Sequence, residues 1–223
     1  MKRLILGDAH GQFHILKKLI QQRLPDRRVN FDDVFILGDM GIGFGIRNEE
    51  LPPFMSDKDI YFIRGNHDNP DEITNLARFW KTGNWNYIPD GHIEDGVLYI
   101  GGAWSIDWKM RTPGRDWWFN EELNEEQMGQ IEDAILNYDD EIHTVMSHDC
   151  PYSIYPQIGV YNPNPSKTSH FLEELKEHFL IGPKRPTQWF FGHHHKKFDA
   201  RVGSIRFRCI APIDSMDYEV IDI

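Results

Sequence analysis

The sequence predicts an α/β fold: a four-layer α/β/β/α sandwich of two mixed sheets flanked by helices, with a metal site at the carboxyl ends of the strands. Strand-like and helix-like patterns alternate along most of the 223 residues. The strand candidates are short apolar runs, Leu4-Ile5-Leu6, Val34-Phe35-Ile36-Leu37, Ile60-Tyr61-Phe62-Ile63, Val145-Met146 and Trp189-Phe190-Phe191, which read as buried strands. After each run a small residue, Gly7, Gly38, Gly65, Ser147 or Gly192, immediately precedes a metal-capable side chain: Asp8, Asp39, Asn66, His148 or His193. Ligands collect at the carboxyl ends of strands in such sheets, so five strands present five polar groups to one crevice.

The elements follow in order. A strand over 3–7 leads to a helix over 14–23, then strands over 34–38 and 60–64 and a helix over 71–80. Val97-Leu98-Tyr99-Ile100 runs into Gly101-Gly102 and marks a strand over 97–101. Asn124-Glu125-Glu126-Gln127 has the capping-box pattern and opens a helix to Tyr138, with Met128, Ile131, Ile135 and Leu136 at helical spacing. A strand over 142–147, a loop rich in proline and asparagine over 150–165 and a helix over 167–179 come next. The last part is β-rich, at 189–192, 198–202, 204–210 and 218–223. No internal repeat interrupts this order, and the length suits one domain over 1–223.

Hydrophobic residues at 40% and aromatics at 13% place the chain among folded globular proteins. A net charge of −11 argues against a broad nucleic-acid-binding face, while leaving room for a small phosphate ester beside bound cations. The two cysteines, Cys150 and Cys209, are too few for a disulfide framework and suit a reducing compartment. With no signal-peptide core and no run of transmembrane length, the expectation is a soluble, cytoplasmic protein with no membrane partner.

Asp8-Ala9-His10 places a carboxylate and an imidazole where both can bend toward one cation, although Asp also favours turns. Asp39 alone reads equally as a turn residue, a helix cap or a carboxylate bridging two ions. In Gly65-Asn66-His67-Asp68 the Asn66 carbonyl is a neutral oxygen ligand, and His67 can act on substrate if Asp68 holds its ring. Ser147-His148-Asp149 contains the residue types of a serine triad, but adjacent side chains cannot line up in relay, so His148 reads better as a metal ligand. In extended backbone His193 and His195 of Gly192-His193-His194-His195 would point to one side and His194 to the other. Each segment has a bland alternative; their joint occurrence points to a shared metal site.

Asp8-Ala9-His10-Gly11, Gly38-Asp39, Gly65-Asn66-His67-Asp68, Ser147-His148 and Gly192-His193-His194-His195 resemble, in order, the five signature blocks of the calcineurin-like metallophosphoesterase superfamily. The resemblance implies a binuclear centre in which Asp8, His10, Asp39 and His195 hold one metal and Asp39, Asn66, His148 and His193 the other. It makes His67 the catalytic histidine with Asp68 as its partner, and a hydroxide bridging the two ions the nucleophile. Mn²⁺ is the first expectation for the pair, with Fe, Zn²⁺ or Ni²⁺ also compatible with mixed oxygen and imidazole ligands. The phosphoprotein phosphatase branch continues its second block to Asp-Arg-Gly, whereas this chain reads Gly38-Asp39-Met40-Gly41. The arginine of that branch has no match after Asp39, and Arg64 or Arg47 are candidates to replace it.

Further substrate contacts are expected from Ser105 to Arg115: Lys109, Arg111 and Arg115 for phosphate oxygens, and Trp108, or Trp117 or Trp118, for stacking on a base. Packing is the alternative for these tryptophans. The expected activity is phosphodiester hydrolysis on a nucleotide or small phosphodiester. Alternatives are a phosphomonoesterase or serine/threonine protein phosphatase, a nuclease, or a non-catalytic scaffold with the same fold.

Overall fold

Side-chain alternation along the strands sorts the apolar residues into three layers, the three interfaces of a four-layer sandwich. The computed structural model describes residues 1–44, 58–77, 84–161 and 166–223. The first sheet has the order β11-β1-β2-β3-β4: Tyr218–Asp222, Lys2–Leu6, Asp33–Ile36, Ile60–Phe62 and Trp85–Tyr87. Its strands are parallel except for the β1–β11 pair. The second has the order β5-β6-β7-β8-β10-β9: Ile93–Glu94, Val97–Ile100, Thr144–Ser147, Gln188–Phe191, Ile205–Cys209 and Phe198–Val202. Here β6, β7, β8 and β10 are parallel, with an antiparallel strand at each edge.

Ile5, Phe35, Leu37 and Ile63 of the first sheet meet Val97, Tyr99, Met146 and Phe190 of the second in the central layer. Their neighbours in sequence face outward. Leu4, Leu6, Val34 and Ile36 pack under α1 (Phe13–Lys18), its π-helical continuation Leu19–Arg23 and the short α2 (Leu24–Asp26). Leu98, Ile100, Val145, Trp189 and Phe191 pack under α4 (Glu125–Asn137) and α5 (Lys167–Ile181), where Ile131, Phe171, Leu172 and Leu175 cover them. A further α-helix, α3, spans Pro70–Ala77. Both Asn124 and Gln127 make the capping-box hydrogen bonds that the sequence predicts for α4. Buried Arg3 joins the sheets: it donates to Asp33 of β2 and, at 2.5 Å, to the Tyr99 hydroxyl of β6.

The structure adds β4 and β5, which the sequence does not announce, and shifts most of the predicted strand ends by one or two residues. The predicted helix over 71–80 is described to Ala77, with the rest outside the described residues. Cys150 and Cys209 are buried free thiols. Among the described residues no helix is long and apolar enough to cross a membrane.

Candidate metal centre

Parallel strands bring the polar residues together because their carboxyl ends all open on one edge of the sandwich. Asp8 and His10 follow β1, Asp39 follows β2, Asn66 and His67 follow β3, His148 follows β7, and His193 and His195 follow β8. The approach is so close that side chains are excluded at two glycines: a Cβ at Gly65 would lie 2.1 Å from Asp39 Oδ1, and one at Gly192 2.3 Å from Asp8 Oδ1.

Asp8, His10, Asp39 and His195 offer one atom each to a common point, all within 4.8 Å of one another. His10 Nε2 and His195 Nε2 face each other at 2.9 Å, and Asp8 Oδ2 lies 3.1 Å from His195 Nε2. A second group adjoins it: His148 Nε2 is 3.3 Å from Asp39 Oδ1 and 3.2 Å from Asn66 Oδ1, and Asn66 Oδ1 is 2.9 Å from His193 Nδ1. Asp39 belongs to both. The donors fit divalent transition ions, since they combine carboxylate, imidazole and amide oxygen. Asp8 Oδ2 is completely buried and, apart from the His195 ring nitrogen that faces it, has no hydrogen-bond partner, the condition of an oxygen placed to meet a cation.

Protonation shows the same preparation. Burial works against the Asp39 carboxylate, but the charges of His148, His67 and His10 hold it well below the usual range. Burial likewise opposes the His148 cation, yet Asp39 beside it lifts this imidazole to about 10. His193 is pushed down to about 3, first by burial, and so stands neutral with a lone pair available.

Four of these residues sit in left-handed backbone without being glycine: His10 at φ 44°, Asp39 at 51°, His193 at 61° and His195 at 53°. The tri-histidine segment is therefore not the extended run from which its side-chain directions were predicted. Its turns send His195 to the first group and His193 to the second. His194 goes to Asp149 Oδ1 at 2.9 Å, where Tyr155 donates to the other carboxylate oxygen. Ser147 donates to the Asp149 carbonyl and accepts from Trp189 Nε1, so it is a buried structural hydroxyl.

His67 projects toward the same cleft, with Nε2 4.0 Å from Asp39 Oδ2. Its ring is not held by Asp68, contrary to the sequence expectation. The Asp68 carboxylate turns away and accepts four backbone N–H groups, from Met40, Gly41, Ile42 and Gly65, tying the loop after β2 to the loop after β3. The His67 ring is instead flanked by His10 and Phe44, at centroid distances of 4.8 and 4.5 Å, and by Arg111, whose Nη2 lies 3.0 Å from Nε2. Burial, with a further contribution from Arg111, lowers the His67 pKa.

The residues expected at substrate divide sharply. Arg111 lies in the site, held by Asp107 at 2.7 Å. Arg64 does not: it is 2% exposed, and its guanidinium is engaged by Asp90 and by the carbonyls of Glu121 and Asn120, so it braces the protein beneath the site. Lys109 and Arg115 are exposed and line no part of the cleft. Trp108 packs beside Trp117 at 5.5 Å and also lies outside the cleft wall. Arg47 is outside the described residues. The cleft has a volume of about 550 Å³; Ile106 of the expected Ser105–Arg115 segment lines it, and Trp104, Tyr155, Val160 and Lys196 join its wall without having been predicted there. Tyr155 lies in the 3₁₀ helix Tyr152–Ile158 and the other three are single residues in loops, with no spacing signal to mark them.

Comparison with known proteins bears on the fold and the family. Among solved structures, the protein TT1561 of Thermus thermophilus aligns over 99% of this chain and 98% of its own, with 12% identity and a TM-score of 0.56. A putative 5′-nucleotidase from Staphylococcus aureus aligns over 95% of this chain and 48% of its own, with 12% identity and a TM-score of 0.55. The phosphopantetheinyl hydrolase of Mycobacterium tuberculosis aligns over 96% and 90%, again with 12% identity and a TM-score of 0.55. At such identity these likenesses concern the fold. No curated protein matches the sequence. The family model for calcineurin-like phosphoesterases, however, matches residues 1–197, which include every strand end that feeds the centre. The chain therefore belongs to the calcineurin-like phosphoesterase family and is a metal-dependent phosphoester hydrolase.

Proposed function

We propose that this enzyme cleaves small phosphodiesters, nucleotides among them. The observation that carries the reading is the pairing of Arg111 with His67 over the clustered ligands, at the base of a cleft whose wall continues into Trp104, Ile106, Tyr155 and Val160. A phosphoryl group at the ligands would leave its organic substituent against this partly apolar wall. The volume of about 550 Å³ suits a nucleotide-sized molecule. The net charge of −11 weighs against a polymer of nucleotides.

In this reading Asp8, His10, Asp39 and His195 hold one divalent ion and Asp39, Asn66, His148 and His193 the other, Mn²⁺ being the first choice. When bound, such a pair supplies Lewis acidity to the phosphoryl oxygens and an acidified water as nucleophile. The residues do the rest. Asp39 fixes the spacing of the two halves because it belongs to both. Arg111 leaves His67 Nε2 for a phosphoryl oxygen, and the freed Nε2 becomes the site of proton transfer. As the new P–O bond to water forms, the ester P–O bond breaks, and His67 Nε2, which takes up a proton from solvent once Arg111 has left it, delivers that proton to the departing oxygen, a contribution of about 10²–10⁴ in rate. Asp68 acts on neither ring nor substrate. We treat residues 1–223 as one catalytic unit, and two buried free thiols suit a reducing cytoplasm.

Arg111 also favours a second reading. It supplies near His67 the guanidinium that the segment after Asp39 lacks, and a terminal phosphate could use it equally well, so a phosphomonoesterase is the alternative. Protein loaded with Mn²⁺ is to be assayed on bis-p-nitrophenyl phosphate and p-nitrophenyl phosphate, with Asp39→Asn and His67→Ala as controls. Faster turnover of the diester supports the proposal, and faster turnover of the monoester replaces it with the alternative. His67→Ala should lose most turnover while retaining its metals; loss of the metals would refute the role given to His67.

A further inference from the structure

Asn66 is the amide among the candidate ligands of the centre, and it can face a cation only with its oxygen. Nothing in the shape of the side chain enforces this, since rotation by 180° exchanges Oδ1 and Nδ2 in the same space. Behind it lies a buried hydrogen-bonded chain. Asn66 Nδ2 donates to Ser105 Oγ at 3.0 Å, Ser105 Oγ donates to Glu121 Oε2 at 2.6 Å, and the Ser105 backbone N–H donates to Glu121 Oε1 at 2.7 Å. All three residues are 2% exposed or less.

We infer that Ser105 and Glu121 are positioning residues for the second metal half-site, setting the orientation of the Asn66 amide. The direction follows from proton inventory. A carboxylate only accepts, so the single hydroxyl proton of Ser105 must point to Glu121. The hydroxyl can then offer Asn66 only a lone pair, and Asn66 must turn its NH₂ toward it. Oδ1 is left facing His148 Nε2 and His193 Nδ1. Without the hydroxyl the amide could present N–H groups to a cation, which would repel it.

Glu121 is itself held from outside: Arg64 donates to its backbone carbonyl at 2.7 Å. The arginine that fails to reach substrate thus steadies the far end of this chain. Burial, partly offset by the two donors of Ser105, lifts the Glu121 carboxyl to about 7, so the test is run at pH 8, where it is ionised.

This inference rests on the binuclear reading above, and the experiment separates the two. Metal-free protein is titrated with Mn²⁺ by calorimetry, and bound Mn²⁺ is counted after chelator challenge. Wild type should bind two ions; binding of only one would overturn the binuclear reading itself. Ser105→Ala should weaken one of the two sites about 10- to 100-fold, the usual cost of losing an outer partner, and leave the other unchanged. Ser105→Thr, which keeps the hydroxyl, should restore the weakened site, a rescue that a merely structural role does not predict. Glu121→Gln should weaken the same site, and it carries the test if Ser105→Ala fails to fold. Two ions bound with wild-type affinity in Ser105→Ala or in Glu121→Gln would overturn the inference.

Discussion

Asp68 offers the sharpest test of the structure, because sequence adjacency assigns it to His67 and the fold assigns it to the backbone. Its oxygens accept N–H groups from Met40 at 3.1 Å, Gly41 at 2.8 Å, Ile42 at 3.0 Å and Gly65 at 2.8 Å. All four donors belong to buried residues. Asp68→Ala would strand them, at about 1–3 kcal/mol for each one that water cannot reach. Allowing water to satisfy two, the expected loss is about 4 kcal/mol, a large part of the 5–15 kcal/mol typical of a whole domain. Asp68→Asn keeps one oxygen and should lose roughly half as much. Burial first, and the nearby Asp39 charge second, raise the Asp68 carboxyl to about 6 from 3.8. Since the folded pKa exceeds the unfolded one, the folded chain binds more protons between these values, and its stability falls as pH rises from about 4 to 6. The gap corresponds to the order of 3 kcal/mol. Urea unfolding of metal-free wild type and both variants, at several pH values with chelator present, measures both effects. A loss below about 1 kcal/mol at pH 7 in Asp68→Ala, or an unaltered pH dependence in that variant, would refute the bracing role.

Three further outcomes are expected. Arg64→Met should cost about 3–5 kcal/mol in urea unfolding, since it leaves Asp90 buried without its partner; a change in KM at unchanged stability would instead return Arg64 to the substrate. Arg111→Ala should lower kcat/KM by about 10²–10³, the scale for removing one preorganised donor, with lysine recovering part of it; steady-state kinetics on the preferred nitrophenyl ester decides this, and wild-type values would remove Arg111 from the site. Metal binding should release protons, because His148 is lifted to about 10 in the metal-free protein and must give up its proton to become a ligand. Apparent affinity should then rise with pH through neutrality, and calorimetric heats should vary with buffer ionisation enthalpy; heats independent of buffer would contradict the protonated state.

Much of this was legible in the sequence, for reasons tied to particular residues. Strands buried on both faces must be apolar throughout, so Leu4-Ile5-Leu6 and Trp189-Phe190-Phe191 announced themselves. The candidate ligands were legible because they follow such strands within a few residues. What stayed hidden depends on contacts distant along the chain. Nothing near Arg64 indicates that Asp90 will claim it, and nothing near Ser105 indicates Glu121. Asp68 misled because adjacency implies contact, whereas the turn at Asn66–His67 sends neighbouring side chains to opposite tasks. β4 and β5, with three and two residues, are too short to show a period.

His10, Asp39, His193 and His195 show where the demands of the site cut across those of the backbone. Left-handed backbone costs an ordinary L-residue roughly 1–2 kcal/mol, and glycine next to nothing. At each of these four positions a change to glycine would relieve strain and abolish a metal donor in one step. The chain places all four side chains in backbone that glycine would enter more easily, so at these positions the demands of the site and of the backbone oppose each other.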